Sequence, residues 1–159
     1  MTIGRIWDRL AALMSVGSAE PEQVSWKLRA RPTSVAKARR LTRDRLAFWG
    51  HDGEIAIVEL LVSELVTNAL RRECGPVRLS LSVEDGLLRC EVEDADPELP
   101  CMRAVWPDDE SGRGLHLVDM LACCWGSVRT LKGKVVWFEF PVVGQCAEQP
   151  LEAQPALAA

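Results

Sequence analysis

Two stretches of alternating residues on either side of Asp85-Gly86 constrain the fold of this chain most strongly. Between Val77 and Glu93, apolar residues alternate with polar or charged ones. Successive side chains of a strand point to opposite faces, and a two-residue Asp-Gly connection is typical of a tight hairpin turn. The sequence therefore predicts an antiparallel hairpin. A second hairpin is predicted for residues 126–131 and 134–140, around Lys132-Gly133.

Three other segments have helical periodicity. We expect helices over residues 31–50, capped by Thr33 or Ser34, from Asp52 to about Arg72, with Asp52 as the cap, and over 114–125. Residues 25–30 are a plausible first strand. This order predicts an α+β, two-layer α/β sandwich in which a mixed, mainly antiparallel sheet carries helices on one face.

Length and composition indicate a single globular domain with extensions. The 159 residues carry a net charge of −4, which gives no general attraction to nucleic acid or anionic membranes. We expect an N-terminal extension over 1–24 with an amphipathic helix, a folded domain over 25–143 and a disordered tail over 144–159. The extension is interpreted as a docking helix, or alternatively as a helix that binds a partner or a membrane surface. No run is long enough to span a membrane.

The six cysteines argue against a metal site or a disulfide framework. They include no Cys-x-x-Cys pair, and neither His51 nor His116 lies at zinc-site spacing from them. With no export signal, we expect a reduced, cytoplasmic location. The cations of the helix over 31–50 are interpreted as a solvated face, with a basic docking surface as the alternative. The cysteines are Cys74, Cys90, Cys101, Cys123, Cys124 and Cys146.

The helix around residues 58–72 carries the first candidate site. Its apolar residues gather on one side, while Glu64 and Asn68 lie one turn apart on the other. Leu60 and Leu61 flank Glu64, which predicts that the polar pair borders an apolar pocket. The alternative is a solvated polar stripe with two isolated leucines.

Two further signals follow along the chain. Asp94 ends a strand in phase with its apolar residues, and a core-facing carboxylate is costly unless hydrogen bonds reach it. It therefore either reads a ligand at the floor of a pocket or caps a turn before Pro97. Gly112 and Gly114 then precede a helix, where the backbone can approach an anionic ligand closely.

Taken in order, these motifs resemble the GHKL (Bergerat-fold) family of histidine kinase-like ATPases. The best resemblance is to the small, single-domain anti-sigma-factor serine/threonine kinase-like branch of actinomycete type. It covers roughly residues 26–141 and rests on four phrases: "SELVTNAL", "EVEDADPELP", "SGRGLHLVDMLACCWG" and "GKVVWFEF".

The resemblance implies a site for ATP and Mg²⁺. Asn68 would coordinate the magnesium ion, and Glu64 would be the general base. Asp94 would accept a hydrogen bond from the adenine amino group, and Gly112, Arg113 and Gly114 would form part of the lid over the phosphates. Magnesium commonly completes its coordination with phosphates and water.

The implied function is that of an ATP-binding regulatory protein. It would phosphorylate a STAS-type antagonist protein or sequester a sigma factor, and a homodimer is compatible with the resemblance. The alternative is a non-catalytic, nucleotide-gated interaction module. A complete histidine kinase core is disfavoured, because the chain has no room for a phosphoacceptor hairpin.

Two departures from the family pattern bear on these implications. The first glycine box lacks its glycines and contains Asp96-Pro97, and Asp96 adds negative charge near the expected pocket. Arg72 stands where many relatives have histidine.

Overall fold

The computed structural model describes residues 22–72, 74–101 and 113–143. Five strands and three α-helices make up this part of the chain. Their bounds are β1 Glu22–Leu28, α1 Thr33–Phe48, α2 Ile55–Leu70, β2 Val77–Glu84, β3 Leu87–Asp94, α3 Arg113–Leu121, β4 Cys124–Thr130 and β5 Gly133–Pro141. A short 3₁₀ turn, Asp52–Glu54, precedes α2.

The strands form one sheet in the order β1-β2-β3-β5-β4. Every strand pair in the described part of the chain is antiparallel. The predicted α+β fold with a mainly antiparallel sheet and helices is therefore confirmed. Because β5 lies between β3 and β4, the second hairpin pairs with the first through its returning strand.

The core lies between α2 and one face of the sheet. On α2, the apolar side predicted from periodicity is buried, and it packs against alternate residues of the central strands. These strand residues are Leu79 and Leu81 on β2, Leu88, Cys90 and Val92 on β3, and Val136 and Phe138 on β5. Burial raises the pKa of the Cys90 thiol, which fits its role as a small apolar side chain.

The first hairpin has the turn that its sequence predicts. Asp85 and Gly86 join β2 to β3 with φ values of 51° and 76°. Positive φ at both central residues is the geometry of a type I′ turn, whose twist matches that of the strands. This turn sets the register in which Val83 lies opposite Leu88.

Both helix caps predicted from the sequence are wrong. Pro32 occupies the cap position of α1, and the Ser34 hydroxyl donates to the carbonyl of Arg29 at 2.6 Å instead of accepting from the helix. Asp52 begins the 3₁₀ turn, and no side-chain cap bond occurs at α2 among the described residues. At both helix starts, a tight turn supplies backbone hydrogen bonds in place of a side-chain cap.

Helix α3 ends earlier than predicted. The backbone N–H of Ala122 closes the helix on Val118, and the N–H of Cys123 already donates to the carbonyl of Glu139 on β5 at 3.0 Å. Cys124 and Trp125, predicted as helical, therefore belong to β4. Pairing with β5 overrides the helical pattern of the local sequence.

The cations of α1 divide into two groups. Lys37, Arg39 and Arg40 are exposed. Arg43 bonds to the buried Glu59 of α2 at 2.8 Å. Arg45 lies 5.5–6.0 Å from the ring centroids of three aromatic residues, Trp26, Phe48 and Trp49.

Some predictions concern segments outside the described residues. They are the N-terminal helix, the tail over 144–159 and the middle of the lid loop expected from Ala95 to about Arg113, of which residues 102–112 lie outside. The tail over 144–159 and residues 1–21 of the extension predicted over 1–24 therefore remain predictions, whereas residues 22–24 belong to β1. Among the described helices, none is long and apolar enough to cross a membrane.

The contact at Gly133 yields a stability prediction. A Cβ there would overlap the Asp94 carbonyl oxygen and lie 2.6 Å from the Ala95 Cα. We expect Gly133→Ala to lower the free energy of unfolding by about 1–3 kcal/mol in urea titrations, because β5 must move away from the end of β3. Gly53→Ala is the matched control, since a Cβ there has nothing within 4 Å. Equal stability of the two variants would contradict the prediction.

Candidate functional site

Helix α2 presents its two candidate side chains opposite the core. Glu64 and Asn68 are half-buried, whereas the apolar side of the helix is closed against the sheet. Leu61 is wholly buried in that core and Leu60 is 39% exposed. Leu61 therefore belongs to the core, whereas Leu60 is partly exposed, and the apolar pocket expected beside Glu64 stays a prediction.

The start of α3 lies directly against Glu64. A Cβ on Gly114 would overlap the Oε2 atom of Glu64 and lie 3.4 Å from its Cβ. Gly114, the second residue of α3, therefore lets the helix approach Glu64 closely, and a larger residue would make the Glu64 carboxylate move. Val118, one turn later, is buried in the core and holds α3 in place.

Asp94 combines the two interpretations that its sequence allows. Its side chain is buried at the end of β3, in phase with the apolar residues, and its Oδ1 atom accepts the N–H of Asp96 at 2.8 Å. It thus faces inward and also caps the following turn. The Oδ2 atom is buried without a hydrogen-bond partner in the described part of the chain. Such an orphaned acceptor is costly unless a ligand donates to it.

Lys134 is the residue of this site that the sequence analysis missed. It lies opposite Asp94 in the β3–β5 register and is 2% exposed. Its Nζ atom donates to Asp94 Oδ1 at 3.0 Å, to the Asp96 carbonyl at 3.1 Å and to Asp96 Oδ2 at 3.2 Å. An ammonium group has three donors, so all are used within the protein.

A signal for Lys134 was present in the sequence. Lys134 is in phase with Val136 and Phe138. The alternation that placed Asp94 on the core-facing side therefore also placed a lysine there.

The two departures from the family pattern occupy one charge cluster. Arg72, just beyond α2, lies 3.5 Å from Asp96 Oδ2 and also pairs with Glu98. The backbone hydrogen bond from Glu98, followed by Lys134 and Arg72, holds the pKa of Asp96 below its usual value. The negative charge of Asp96 is therefore balanced by Lys134 and Arg72 within the protein.

These contacts bring two distant segments to the last two turns of α2. The start of α3 contacts Glu64, and the chain after β3 contacts Arg72, one turn beyond Asn68. Asn68 therefore lies on α2 between Glu64, which contacts α3, and Arg72, which contacts the chain after β3. Gly112 lies outside the described residues, and Arg113 is placed as the first residue of α3.

The oxygen atoms of these side chains fit a nucleotide with a magnesium ion. Asp94 Oδ2 can accept from an exocyclic amino group, and the Asn68 amide and Glu64 carboxylate offer the oxygen atoms that Mg²⁺ prefers. Lys134 has no donor left for a ligand. Recognition by this cluster therefore falls to the free oxygen of Asp94.

Comparison with known proteins identifies the family of the fold. A family model described as "Histidine kinase-like ATPase domain" matches residues 28–140. A solved structure of the RsbU and RsbW domains of Rv1364c from Mycobacterium tuberculosis is similar, with a TM-score of 0.59 and 18% identity. The similarity covers 76% of this chain and 32% of that one. No curated protein matches the sequence.

The buried charge cluster yields a prediction that needs no ligand. We expect Lys134→Met to lower the free energy of unfolding by about 3–5 kcal/mol, because Asp94 and Asp96 lose the cation between them. Adding Asp94→Asn should recover part of this loss, since it removes one uncompensated charge. Urea denaturation measures both changes.

Lys132→Met is the control for this prediction. Lys132 is exposed and lies two residues away on the same hairpin. Its replacement should change stability by less than about 0.5 kcal/mol. Equal effects of the two lysine variants would contradict the role given to Lys134.

Proposed function

The chain belongs to the histidine kinase-like ATPase domain family, and from this premise we propose that it is an ATP-binding regulatory protein. Its pocket lies among the last two turns of α2, the end of β3 and the start of α3. The single observation that carries the proposal is the orphaned Oδ2 atom of Asp94, buried beside a lysine whose donors are all used.

Asp94 recognises the adenine ring in this proposal. Its Oδ1 atom is held by Lys134 and by the backbone of Asp96. The carboxylate is therefore fixed, and Oδ2 can accept one hydrogen bond from the adenine amino group. A hydrogen bond to a charged acceptor contributes more than a neutral one, and a fixed acceptor loses little entropy on binding.

The phosphates lie toward the start of α3. Gly112, Arg113 and Gly114 form part of the lid over them, and the N-terminal backbone of α3 favours their negative charge. The Asn68 amide oxygen holds the magnesium ion, which supplies charge stabilisation when bound. Glu64 is proposed as the general base that orients the attacking hydroxyl group.

The substrate is proposed to be a serine or threonine of a STAS-type antagonist protein. Sequestration of a sigma factor is a second proposed function of this protein. Both follow from the resemblance to anti-sigma-factor kinases and from the similarity to a structure that contains an RsbW domain. We place this activity in the cytoplasm and include a homodimer in the proposal.

The alternative function is a non-catalytic interaction module that nucleotide binding controls. The observation that favours it is the contact between Glu64 and Gly114, in which α3 packs against the proposed base. ATP would then order the lid and alter the affinity for a partner without phosphoryl transfer.

Nucleotide binding is tested by calorimetry with Mg-ATP. We expect saturable binding by the wild type and affinities at least about tenfold weaker in Asp94→Asn and in Asn68→Ala, each through loss of one contact. Glu93→Gln is the matched control for Asp94, because Glu93 is adjacent on β3 and pairs with Arg78 at the surface. An absence of saturable binding in the folded wild type would remove the nucleotide proposal.

Catalysis is tested by label transfer from γ-labelled ATP to candidate STAS-type proteins. Transfer that falls at least about a hundredfold in Glu64→Gln, with ATP affinity retained, supports the kinase. Thr67→Ala, on the exposed side of α2, is the control. ATP-dependent partner binding without transfer would favour the interaction module instead.

A further inference from the structure

A cluster of possible metal ligands lies where α3 gives way to β4. The ligand atoms of Cys123, Cys124 and Glu139 all lie within 4.8 Å of one another. The two Sγ atoms are 3.9 Å apart, and Cys124 Sγ is 2.9 Å from Glu139 Oε2. This cluster lies outside the contacts described for the nucleotide pocket and includes none of its residues.

The distances suit one shared tetrahedral ion. With zinc–sulfur bonds of ~2.3 Å, two thiolates on a tetrahedral ion lie ~3.8 Å apart. The observed separation of 3.9 Å matches this value. A carboxylate oxygen on the same ion would lie ~3.5 Å from each sulfur. The present 2.9 Å from Cys124 is the length of the hydrogen bond that the ion would replace, and all three ligand atoms lie within 4.8 Å of one another, so Glu139 has to shift for both sulfur–oxygen distances to be met.

Both thiols lie beside Glu139 because the chain bends between them, although only Cys124 bonds to the carboxylate and Cys123 bonds to the backbone carbonyl. Consecutive residues within a strand point to opposite faces, but Cys123 precedes β4 and Cys124 begins it. The N–H of Cys123 donates to the Glu139 carbonyl at 3.0 Å, and its Sγ atom lies 3.2 Å from the same oxygen. Cys124 is paired directly with Glu139 in the β4–β5 register.

The carboxylate is held from behind by an arginine. Arg89 on β3 donates to Glu139 Oε1 at 2.7 Å, which leaves Oε2 directed toward Cys124. Arg89 itself is fixed by Glu91 at 2.7 Å and by the Trp137 ring, whose centroid is 4.1 Å away. Backing contacts of this kind orient metal ligands and commonly alter affinity by about 10–100-fold.

We propose that Cys123, Cys124 and Glu139 bind a thiophilic divalent cation of the Zn²⁺ class. Two sulfur ligands disfavour Mg²⁺ and Ca²⁺, and three protein ligands leave a fourth position for water. On binding, both thiol protons pass to solvent and no electrons are transferred. The ion joins the end of α3 to β5, so it fixes the helix whose other end contacts Glu64.

The test uses Zn²⁺ and Co²⁺ with the full, reduced chain. We expect one Zn²⁺ per chain in competition with a chromophoric chelator. Bound Co²⁺ should give sulfur-to-metal charge-transfer absorption and the intense visible bands of a tetrahedral site. The affinity should fall at least about tenfold in Cys123→Ser, in Cys124→Ser and in Glu139→Gln. The two cysteines are exposed, so their variants should fold, which circular dichroism checks.

Cys74→Ser and Cys101→Ser are matched controls, since both residues are exposed thiols elsewhere. They should leave Zn²⁺ affinity and the cobalt spectrum unchanged. Arg89→Lys should weaken binding while it retains the charge-transfer band, because it alters only the support of Glu139. The proposal is overturned if Co²⁺ gives no sulfur charge transfer. It is also overturned if the cysteine variants bind Zn²⁺ as the wild type does, or if the reduced thiols bind no ion.

Discussion

The packing of α2 on the sheet is the contact on which the remaining geometry depends. Val58, Val62, Leu65 and Val66 are essentially excluded from solvent, and they fix the rotation of the helix about its axis. Once that rotation is fixed, the opposite side carries Glu64 and Asn68 at positions that no loop has to define. Sites built on a packed helix are more rigid than sites on loops. The rigid part of the proposed pocket is therefore a by-product of core formation.

The loop after β3 is held by charge where the family commonly uses glycines. Lys134 bonds to Asp94 and Asp96, and Arg72 extends the cluster to Glu98. Charges buried in this way cost desolvation energy, so such a cluster is poor evidence for overall stability. Its effect is local, because Lys134 and the backbone of Asp96 constrain Asp94, the carboxylate that is proposed to face the adenine ring. Asp96 and Arg72, which both depart from the family pattern, form an ion pair in this cluster.

Local patterns in the sequence predicted the parts of the fold that short-range rules determine. Alternation gave the Val77–Asp94 hairpin and placed Asp94 inward, and helical periodicity gave the buried side of α2. The order of the motifs also identified the family that the comparison supports. These features depend on periodicity and turn chemistry, which a single sequence displays directly.

The remaining parts depend on pairing between distant strands. Lys134 could be placed inward by its phase, but only the β3–β5 register sets it opposite Asp94. Cys123 and Cys124 lie in a helical pattern, which offers no reason to expect Glu139, fifteen residues beyond Cys124, beside them. The metal-site interpretation was rejected on sequence spacing alone. Spacing rules recognise ligands that are neighbours along the chain, whereas these three meet across a sheet.

The β3–β5 register has a consequence for folding errors. A slip of two residues would keep every apolar side chain of β5 on the core face, so hydrophobic burial opposes it weakly. In the native register Lys134 lies opposite Asp94, and the slip would place it opposite Val92 instead. Both charges would then be buried apart, which is far more costly than their native pairing. The ion pair thus discriminates among registers that the apolar residues tolerate, and it favours the native register as the sheet assembles.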